Sequence, residues 1–89
     1  MQRVKVTKVI DGDTFRIKGG EFVRIANIDT PEKGRAGSAA ATNALKELID
    51  GKTITINPVG KSYGRIVADK IKIGTVPVEQ KMRKFNKKG

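Results

Sequence analysis

Residues 4–30 read VKVTKVIDGDTFRIKGGEFVRIANIDT, and the pattern of this stretch decides the fold. Apolar residues alternate with charged or polar ones along three segments, and alternation with a period of two is typical of half-buried β-strands. The segments predicted to be strands are residues 2–10, 14–18 and 21–28.

Two short turns join these predicted strands. The DGD sequence at 11–13 combines aspartate and glycine, residues that favour tight turns. The GG pair at 19–20 predicts a two-residue hairpin turn, because both central positions of such a turn require positive φ. In the register that this turn sets, Asp13 lies opposite Ala26, with Arg24 two residues away on the same face.

The remainder of the chain predicts one helix, two strands and a short helical segment. Residues 38–50 carry apolar side chains at helical spacing, with Ser38 placed to cap the helix and Gly51 to end it. Residues 53–57 form a predicted fourth strand that Pro58 ends. The last predicted elements are a fifth strand over residues 63–73 and a helical face made by Val78, Met82 and Phe85.

This order of elements predicts a mainly β protein. Short antiparallel strands around a single helix fit a five-stranded Greek-key barrel of the OB type, with the helix between the third and fourth strands. Neither a linker nor a repeat divides the sequence, so residues 1–89 are predicted to form one domain. The basic tail over residues 81–89 contains no acid and is expected to be partly solvated.

The charge of the chain indicates a polyanionic partner. Nineteen Lys and Arg residues against nine Asp and Glu residues give a formal net charge of +10 at pH 7. Nucleic acid is the common partner of such a chain, followed by anionic membrane surfaces, and a charged surface also serves solubility alone. The first ten residues alternate and lack the apolar run of a signal peptide, so a cytoplasmic protein is expected, with a secreted mature form left open.

Two missing residue types restrict the chemistry. The sequence has neither histidine nor cysteine, which excludes the usual zinc sites, nucleophilic triads that use histidine, and histidine-based nucleases. Any general base must then be a carboxylate or a lysine. Any metal must be a hard cation bound by oxygen.

Four of the nine acidic residues lie in two short motifs, DGDT at 11–14 and IDTPE at 28–32. The hairpin brings the start of the second strand next to the end of the third, so Asp13 and Asp29 are predicted at one rim of the barrel. Two carboxylates about 5 Å apart repel by roughly 3 kcal/mol at an effective dielectric constant near 20. A positive group must therefore lie between them.

Two interpretations of this positive group fit the residues equally well. In one, Arg24 and Arg65 form an ion-pair cluster with the aspartates and no metal binds. In the other, a hard divalent cation such as Ca²⁺ or Mg²⁺ binds both carboxylates, with the Thr30 carbonyl as a further oxygen ligand. The pattern alone leaves both open.

Three motifs in a fixed order resemble those of the staphylococcal nuclease (thermonuclease) family. They are VIDGDT at 9–14, VRIANIDTPE at 23–32 and YGR at 63–65, and the resemblance covers roughly residues 4–73. It implies the same five-stranded barrel. It also implies a metal-dependent endonuclease that hydrolyses DNA and RNA with little sequence preference and leaves 3′-phosphate ends.

The resemblance implies a role for each acidic residue of these motifs. Asp13 and Asp29 are expected to bind the divalent cation, Ca²⁺ before Mg²⁺, together with the carbonyl of Thr30. Glu32 is expected to position or deprotonate the attacking water.

The resemblance also implies that the neighbouring residues contact nucleic acid. Arg24 and Arg65 are expected to bind the scissile phosphate and to stabilise the charge of the five-coordinate transition state. Tyr63 is expected near a phosphate or base, with burial in the barrel as the alternative. The basic charge of the chain, and not the resemblance, is the reason to expect Lys61 on the phosphate backbone, with a solvated surface lysine as the alternative. The expected partner is single-stranded or flexible DNA or RNA, whose backbone can reach the rim.

A non-catalytic nucleic-acid-binding module with the same OB-type barrel and basic surface is the alternative function. Such a module does not need Glu32 together with Arg24 and Arg65. A purely protein-interaction domain has less support, since it leaves the cluster of acids and arginines unexplained.

Overall fold

Strands, helices and a 3₁₀ turn make up the described part of the chain, residues 1–86 of a computed structural model. The strands are β1 (Gln2–Val9), β2 (Thr14–Ile17), β3 (Phe22–Ile25), β4 (Thr53–Ser62), β5 (Arg65–Ile73) and β6 (Val76–Pro77). The helices are α1 (Ser38–Ile49) and α2 (Val78–Met82), and the 3₁₀ turn covers Arg83–Phe85.

Five of the strands close into a barrel. Neighbouring strands pair in the order β3-β2-β1-β4-β5, and β3 also pairs with β5, which completes the ring. The β3–β5 pair is parallel and the other pairs are antiparallel. The two-residue strand β6 adds a short antiparallel pairing to the end of β5. The prediction of a five-stranded barrel with the helix between the third and fourth strands and a short C-terminal helix is confirmed.

The core lies inside the barrel and is almost entirely aliphatic. Alternation along β1, β2 and β3 buries Val6, Phe15 and Val23, one from each strand, while neighbours such as Lys5, Arg16 and Phe22 are exposed. The same core takes side chains from both helices, namely Ala41, Leu45 and Ile49 from α1 and Val78 and Met82 from α2. Because each fully buried Val, Leu, Ile or Met side chain contributes about 1.5–3 kcal/mol, this core is the main stabilising term.

The β2–β3 hairpin differs by one residue from the predicted register. Its loop holds residues 18–20, which is one residue more than the predicted two-residue turn. Asp13 lies opposite Ile25, whose amide donates to the Asp13 carbonyl at 2.8 Å, and the predicted position opposite Ala26 is wrong. Both loop glycines have positive φ as expected. Three-residue hairpin loops also take glycine at positive φ, so the glycine pair fits either loop length.

Strand β4 is longer than predicted. It runs from Thr53 to Ser62 and passes through Pro58, where the predicted strand ended. The pairing with β5 is irregular between Pro58 and Gly60. Because a bulge leaves some backbone groups outside the hydrogen-bond ladder, the strand tolerates a proline there, although proline has no amide hydrogen to donate.

Helix α1 begins where predicted and ends at Ile49, one residue before the predicted end, but its cap differs from the prediction. It begins at Ser38, and Gly51 follows its end with a φ of 72°, as expected for a helix stop. Ser38 is buried within the first turn and makes no capping bond, because the N-cap residue is Gly37. Packing, and not a side-chain cap, therefore fixes the start of this helix.

The C-terminal segment has the predicted apolar face. Val78 and Met82 are fully buried, and Phe85 packs against the core from the 3₁₀ turn. Residues 87–89 of the predicted solvated tail lie outside the described residues. Within the described residues, every helix is too short and too polar to cross a membrane.

Gly12 brings the first turn close to helix α1. A Cβ at this position would lie 2.6 Å from the Cβ of Ala41 and 2.7 Å from the hydroxyl oxygen of Thr30. Carbon atoms do not approach other atoms this closely, so only glycine lets the three segments meet here. This contact holds the two acidic motifs against the helix.

Replacing Gly12 with alanine is expected to lower the free energy of unfolding by about 1–3 kcal/mol, because the new methyl group overpacks this junction. Urea unfolding followed by circular dichroism measures the change. Gly60→Ala is the matched control, since a Cβ there meets no atom within 4 Å and the backbone is not left-handed. Equal losses in the two variants would contradict the close packing at Gly12.

Candidate active site

One pocket of about 270 Å³ opens between the DGD turn, the segment after β3 and the start of β5. Its lining residues are Asp11, Asp13, Arg24, Asp29, Thr30, Glu32 and Arg65. Six of the eight predicted site residues therefore line one pocket, although they come from separate parts of the chain.

The turn between β1 and β2 presents Asp13 to this pocket. The Asp11 carboxylate accepts a hydrogen bond from the Asp13 amide at 3.1 Å, which is how aspartate commonly forms a tight turn. The amides of Ile10 and Asp11 both donate to the Thr14 carbonyl, at 3.0 and 3.2 Å. These bonds fix the backbone of Asp13 where β2 begins.

Asp13 is the most buried acid of the pocket, and its carboxylate already accepts two hydrogen bonds. Its oxygens accept hydrogen bonds from the Thr14 hydroxyl at 3.0 Å and from the Thr30 amide at 3.2 Å. Burial raises the pKa of Asp13 above its usual value, and the hydrogen bond and charge of Asp11 act in the same direction, while Arg24 and Thr14 oppose them. A positive group beside such a carboxylate favours its ionised form.

Arg24 lies between the two aspartates. Its Nη2 is 3.5 Å from an oxygen of Asp13 and 3.7 Å from an oxygen of Asp29. Its Nη1 donates to the carbonyl of Ile25 at 2.6 Å and also to the carbonyl of Ile28. Of the ion-pair cluster that the sequence left open, the Arg24 part is therefore present, whereas Arg65 makes no ion pair within residues 1–86.

The segment after β3 presents Asp29. Strand β3 ends at Ile25, three residues before the predicted end, and Asn27 takes a φ of 65° as the chain turns. The Asp29 amide donates to the side-chain oxygen of Asn86 at 2.9 Å, which ties this corner to the C-terminal segment. The Asp29 side chain is 65% exposed and lines the pocket.

Thr30 contributes a buried polar atom that has no partner. The residue is 3% exposed, and its hydroxyl oxygen makes no hydrogen bond within residues 1–86. An unsatisfied buried hydroxyl costs about 1–3 kcal/mol. This atom therefore favours a further polar group, such as a water or an ion with its water ligands, in or beside the pocket.

Arg65 and Glu32 complete the lining from two further segments. Arg65 is the first residue of β5, is half-buried, and makes no ion pair with any described residue. Glu32 is exposed in the tight turn before α1, where its carbonyl accepts a hydrogen bond from the Arg35 amide at 2.9 Å. Both charged groups can therefore bind a ligand without first breaking an ion pair.

Tyr63 and Lys61 lie outside the pocket lining. Tyr63 is 94% exposed in the turn between β4 and β5, with a φ of 52°. Its alternative prediction as a buried barrel residue is wrong, and so is the predicted start of the fifth strand there, because β5 begins at Arg65. Lys61 is exposed on β4 near the same turn. Contact of either residue with nucleic acid stays a prediction.

The carboxylates of Asp13 and Asp29 are the pocket oxygens that would contribute ligands to a hard divalent cation. Asp13 and Asp29 approach the same guanidinium nitrogen, at 3.5 and 3.7 Å, so both carboxylates can face one positive charge. Oxygen ligands are the ones that Ca²⁺ and Mg²⁺ prefer. Residues 1–86 contain no group of three or more acids arranged to hold a metal alone. An ion here would therefore also need the Thr30 carbonyl and water as ligands.

Two residues that shape the pocket received no role from the sequence. Asp11 lines the pocket and orders Asp13, and an aspartate two residues before another in a turn is a local signal that could have identified it. Asn86 bonds to a residue 57 positions away. No local pattern indicates a contact over that separation.

Known proteins similar to this chain include two endonucleases. The chain is 36% identical over 67 residues to an uncharacterized endonuclease of Escherichia coli. It is 34% identical over 67 residues to an uncharacterized endonuclease of Escherichia coli O157:H7. Each match covers 71% of this chain but only 44% of the relative, so the chain spans less than half the length of these relatives. No family model matches the chain.

Removing the Asn86 side chain is expected to loosen the Asp29 corner. Asn86→Ala should lower the free energy of unfolding by about 1 kcal/mol, because one hydrogen bond is lost. It should also speed hydrogen exchange of the Asp29 amide, measured by NMR. Asn43→Ala, at an exposed position of α1, is the control and should leave that exchange rate unchanged. An unchanged rate in Asn86→Ala would show that the bond does not protect the amide.

Proposed function

We propose that this chain hydrolyses phosphodiester bonds in DNA, RNA or both, with a divalent cation and little sequence preference. The observation that carries the proposal is the convergence of four carboxylates and two guanidinium groups on one pocket. The similarity to two endonucleases supports a nuclease, although the shared region is only part of those proteins. The motifs that resemble the staphylococcal nuclease family supply the finer assignment.

Arg65 is the residue best suited to bind the scissile phosphate. Attack on a phosphodiester adds negative charge to the equatorial oxygens, and a guanidinium group stays charged at any working pH. Arg65 lines the pocket and has no ion pair among the described residues, so its donors can all turn to a phosphate. Arg24 supports the same charge from a fixed position beside the acids.

Glu32 is the residue best suited to act on the attacking water. It is an exposed carboxylate of the pocket, and it makes no ion pair with a described residue. Asp13 is poorly suited to this role because its oxygens already accept hydrogen bonds from Thr14 and Thr30. A general base must approach the water directly, and an exposed carboxylate can do so.

Asp13, Asp29 and the Thr30 carbonyl are the groups proposed to hold the cation, with Ca²⁺ preferred over Mg²⁺. When bound, a divalent cation supplies positive charge that stabilises the anionic phosphate during attack. The protein residues orient the substrate around it. Lys61 and Tyr63, exposed near the tip of the β4–β5 hairpin, are proposed to contact single-stranded or flexible nucleic acid beyond the pocket.

A non-catalytic nucleic-acid-binding module is the second candidate, and the contacts of Arg24 favour it. That guanidinium already bonds to two carboxylates and two backbone carbonyls. An arginine used in this way can stabilise the barrel rim without any catalytic role. The two candidates differ in whether nucleic acid is cut.

Arg65→Ala is expected to reduce the degradation of single-stranded DNA or RNA by roughly 100- to 1,000-fold, because a transition-state donor is lost. Glu32→Gln should also abolish most activity while binding is retained. The assay compares Ca²⁺, Mg²⁺ and EDTA, and activity should vanish in EDTA.

Arg83→Ala is the control for this assay, because it removes an exposed arginine side chain that does not line the pocket and should keep full activity. Nucleic acid that is bound but intact under every condition would favour the binding module. Equal activity of the Arg65 variant and the control would overturn the role of Arg65.

Ca²⁺ added together with a mononucleotide is expected to raise the melting temperature, since ligands that bind only the folded state stabilise it. Saturation at about 100 times the dissociation constant corresponds to roughly 2.7 kcal/mol. Asp29→Asn should remove most of this shift. Glu47→Gln removes one exposed acid from α1 and should keep it. A shift that is the same in both variants would exclude Asp29 as a ligand.

A further inference from the structure

The outer face of β1 and β2 carries exposed cations that the pocket does not use, and one more follows β2 at the start of the hairpin loop. They alternate with the buried residues Val6, Phe15 and Ile17, so they point away from the core. We call this surface the basic face, and it consists of Lys5, Lys8, Arg16 and Lys18, together with Phe22 on β3.

The cations of the basic face lie opposite one another across the two strands. Lys8 is the direct partner of Arg16. The amide of Lys18 donates to the carbonyl of Lys5 at 2.9 Å, which places this second pair side by side as well. Like charges in opposing positions of a sheet destabilise it. The fold gains nothing from this arrangement.

No acid offsets these charges. Gln2–Val9 and Thr14–Ile17 contain no Asp or Glu. Within residues 1–86, none of the four cations lies within ion-pair distance of a carboxylate, and Glu21 in the neighbouring hairpin is not paired to them. The face is therefore complementary to a polyanion and to no other part of the described chain.

The basic face is continuous with the pocket. Thr14 pairs with Arg24, which lines the pocket, and Arg16 pairs with Phe22 one step further along the same two strands. Phe22 and Arg24 are two residues apart on β3 and share its outward face, so Phe22 and its partner Arg16 lie roughly 7 Å along the strands from Arg24. Lys18 follows β2 in the hairpin loop, further from the pocket. A nucleic-acid strand whose phosphate lies in the pocket would therefore reach the cations of the basic face with its neighbouring nucleotides.

Phe22 adds a surface on which a base can stack. It is 37% exposed, and the Arg16 guanidinium lies 5.7 Å from the centre of its ring. Aromatic rings beside cations are the usual means of binding single-stranded nucleic acid without sequence preference. The combination favours a nucleic-acid strand over an anionic membrane surface, which offers no bases.

We propose that the basic face binds the sugar–phosphate backbone of a single strand next to the phosphate held in the pocket. The position of that neighbouring phosphate rests on the proposed function, but binding to the face does not require cleavage. The basic face would then determine the affinity for long nucleic-acid strands, while the pocket would determine whether the phosphodiester bond is cut.

The test compares two double variants that lose the same charge. Lys8→Gln with Arg16→Gln removes one opposing pair of the basic face. Lys46→Gln with Lys81→Gln removes two exposed lysines from α1 and α2 and is the control. Circular dichroism checks that both fold. Binding to a labelled single-stranded DNA of about twelve nucleotides is measured by fluorescence anisotropy in EDTA, which prevents metal-dependent cleavage.

The salt dependence of binding is the deciding measurement. Each phosphate contact contributes about 0.7 to the slope of log affinity against log salt concentration, so the face variant should lose about 1.4 from this slope. The control should lose much less. A dinucleotide, which fills the pocket alone, should bind both variants equally.

Equal slopes for the two double variants would overturn the proposal. Binding to anionic lipid vesicles is measured for the same variants, and a face variant that loses binding to the vesicles but not to the DNA would also overturn it. These outcomes are independent of the nuclease assay. An inactive protein with the predicted slopes would refute the proposed function and keep the basic face, whereas an active protein with equal slopes would do the reverse.

Discussion

The guanidinium group of Arg24 is the contact on which the site depends. It lies within ion-pair distance of Asp13 and Asp29 and donates to the carbonyls of Ile25 and Ile28. Without it, two neighbouring carboxylates would repel each other with no positive charge between them. One side chain thus joins the turn before β2 to the corner after β3.

This constraint makes the two arginines of the pocket different in kind. Arg24 is fixed by two carboxylates and two backbone carbonyls, so the charge that it offers a ligand is preorganised but already shared. Arg65 lines the same pocket without an ion pair among the described residues. Charge-assisted bonds to a phosphate can therefore form at Arg65 without first breaking others. The sequence motifs predict the same phosphate-binding role for both arginines, and only their contacts in the structure distinguish them.

Alternation within each segment predicted the strands, because burial of one face is a property of the strand itself, and the order of the strands and the helix then predicted the barrel. The register of the β2–β3 hairpin was wrong by one residue, since a pair of glycines fits loops of two or three residues. The extension of β4 past Pro58 depends on an irregular pairing with β5 that lies elsewhere in the sequence. Local patterns specify faces, whereas lengths and registers depend on the partner strand.

The prediction that Asp13 and Asp29 lie close together did not depend on the exact register of the hairpin. A shift of one residue changes which side chains are opposite, but Asp13 and Asp29 still leave the hairpin at the same open end. Local sequence patterns did not indicate which contacts hold the two aspartates in place. The close approach at Gly12 needs helix α1 to be in place, and the bond from the Asp29 amide to Asn86 needs the C-terminal segment packed on the core. The site is therefore complete only when α1 has packed against the first turn and the last described residues have packed against the Asp29 corner.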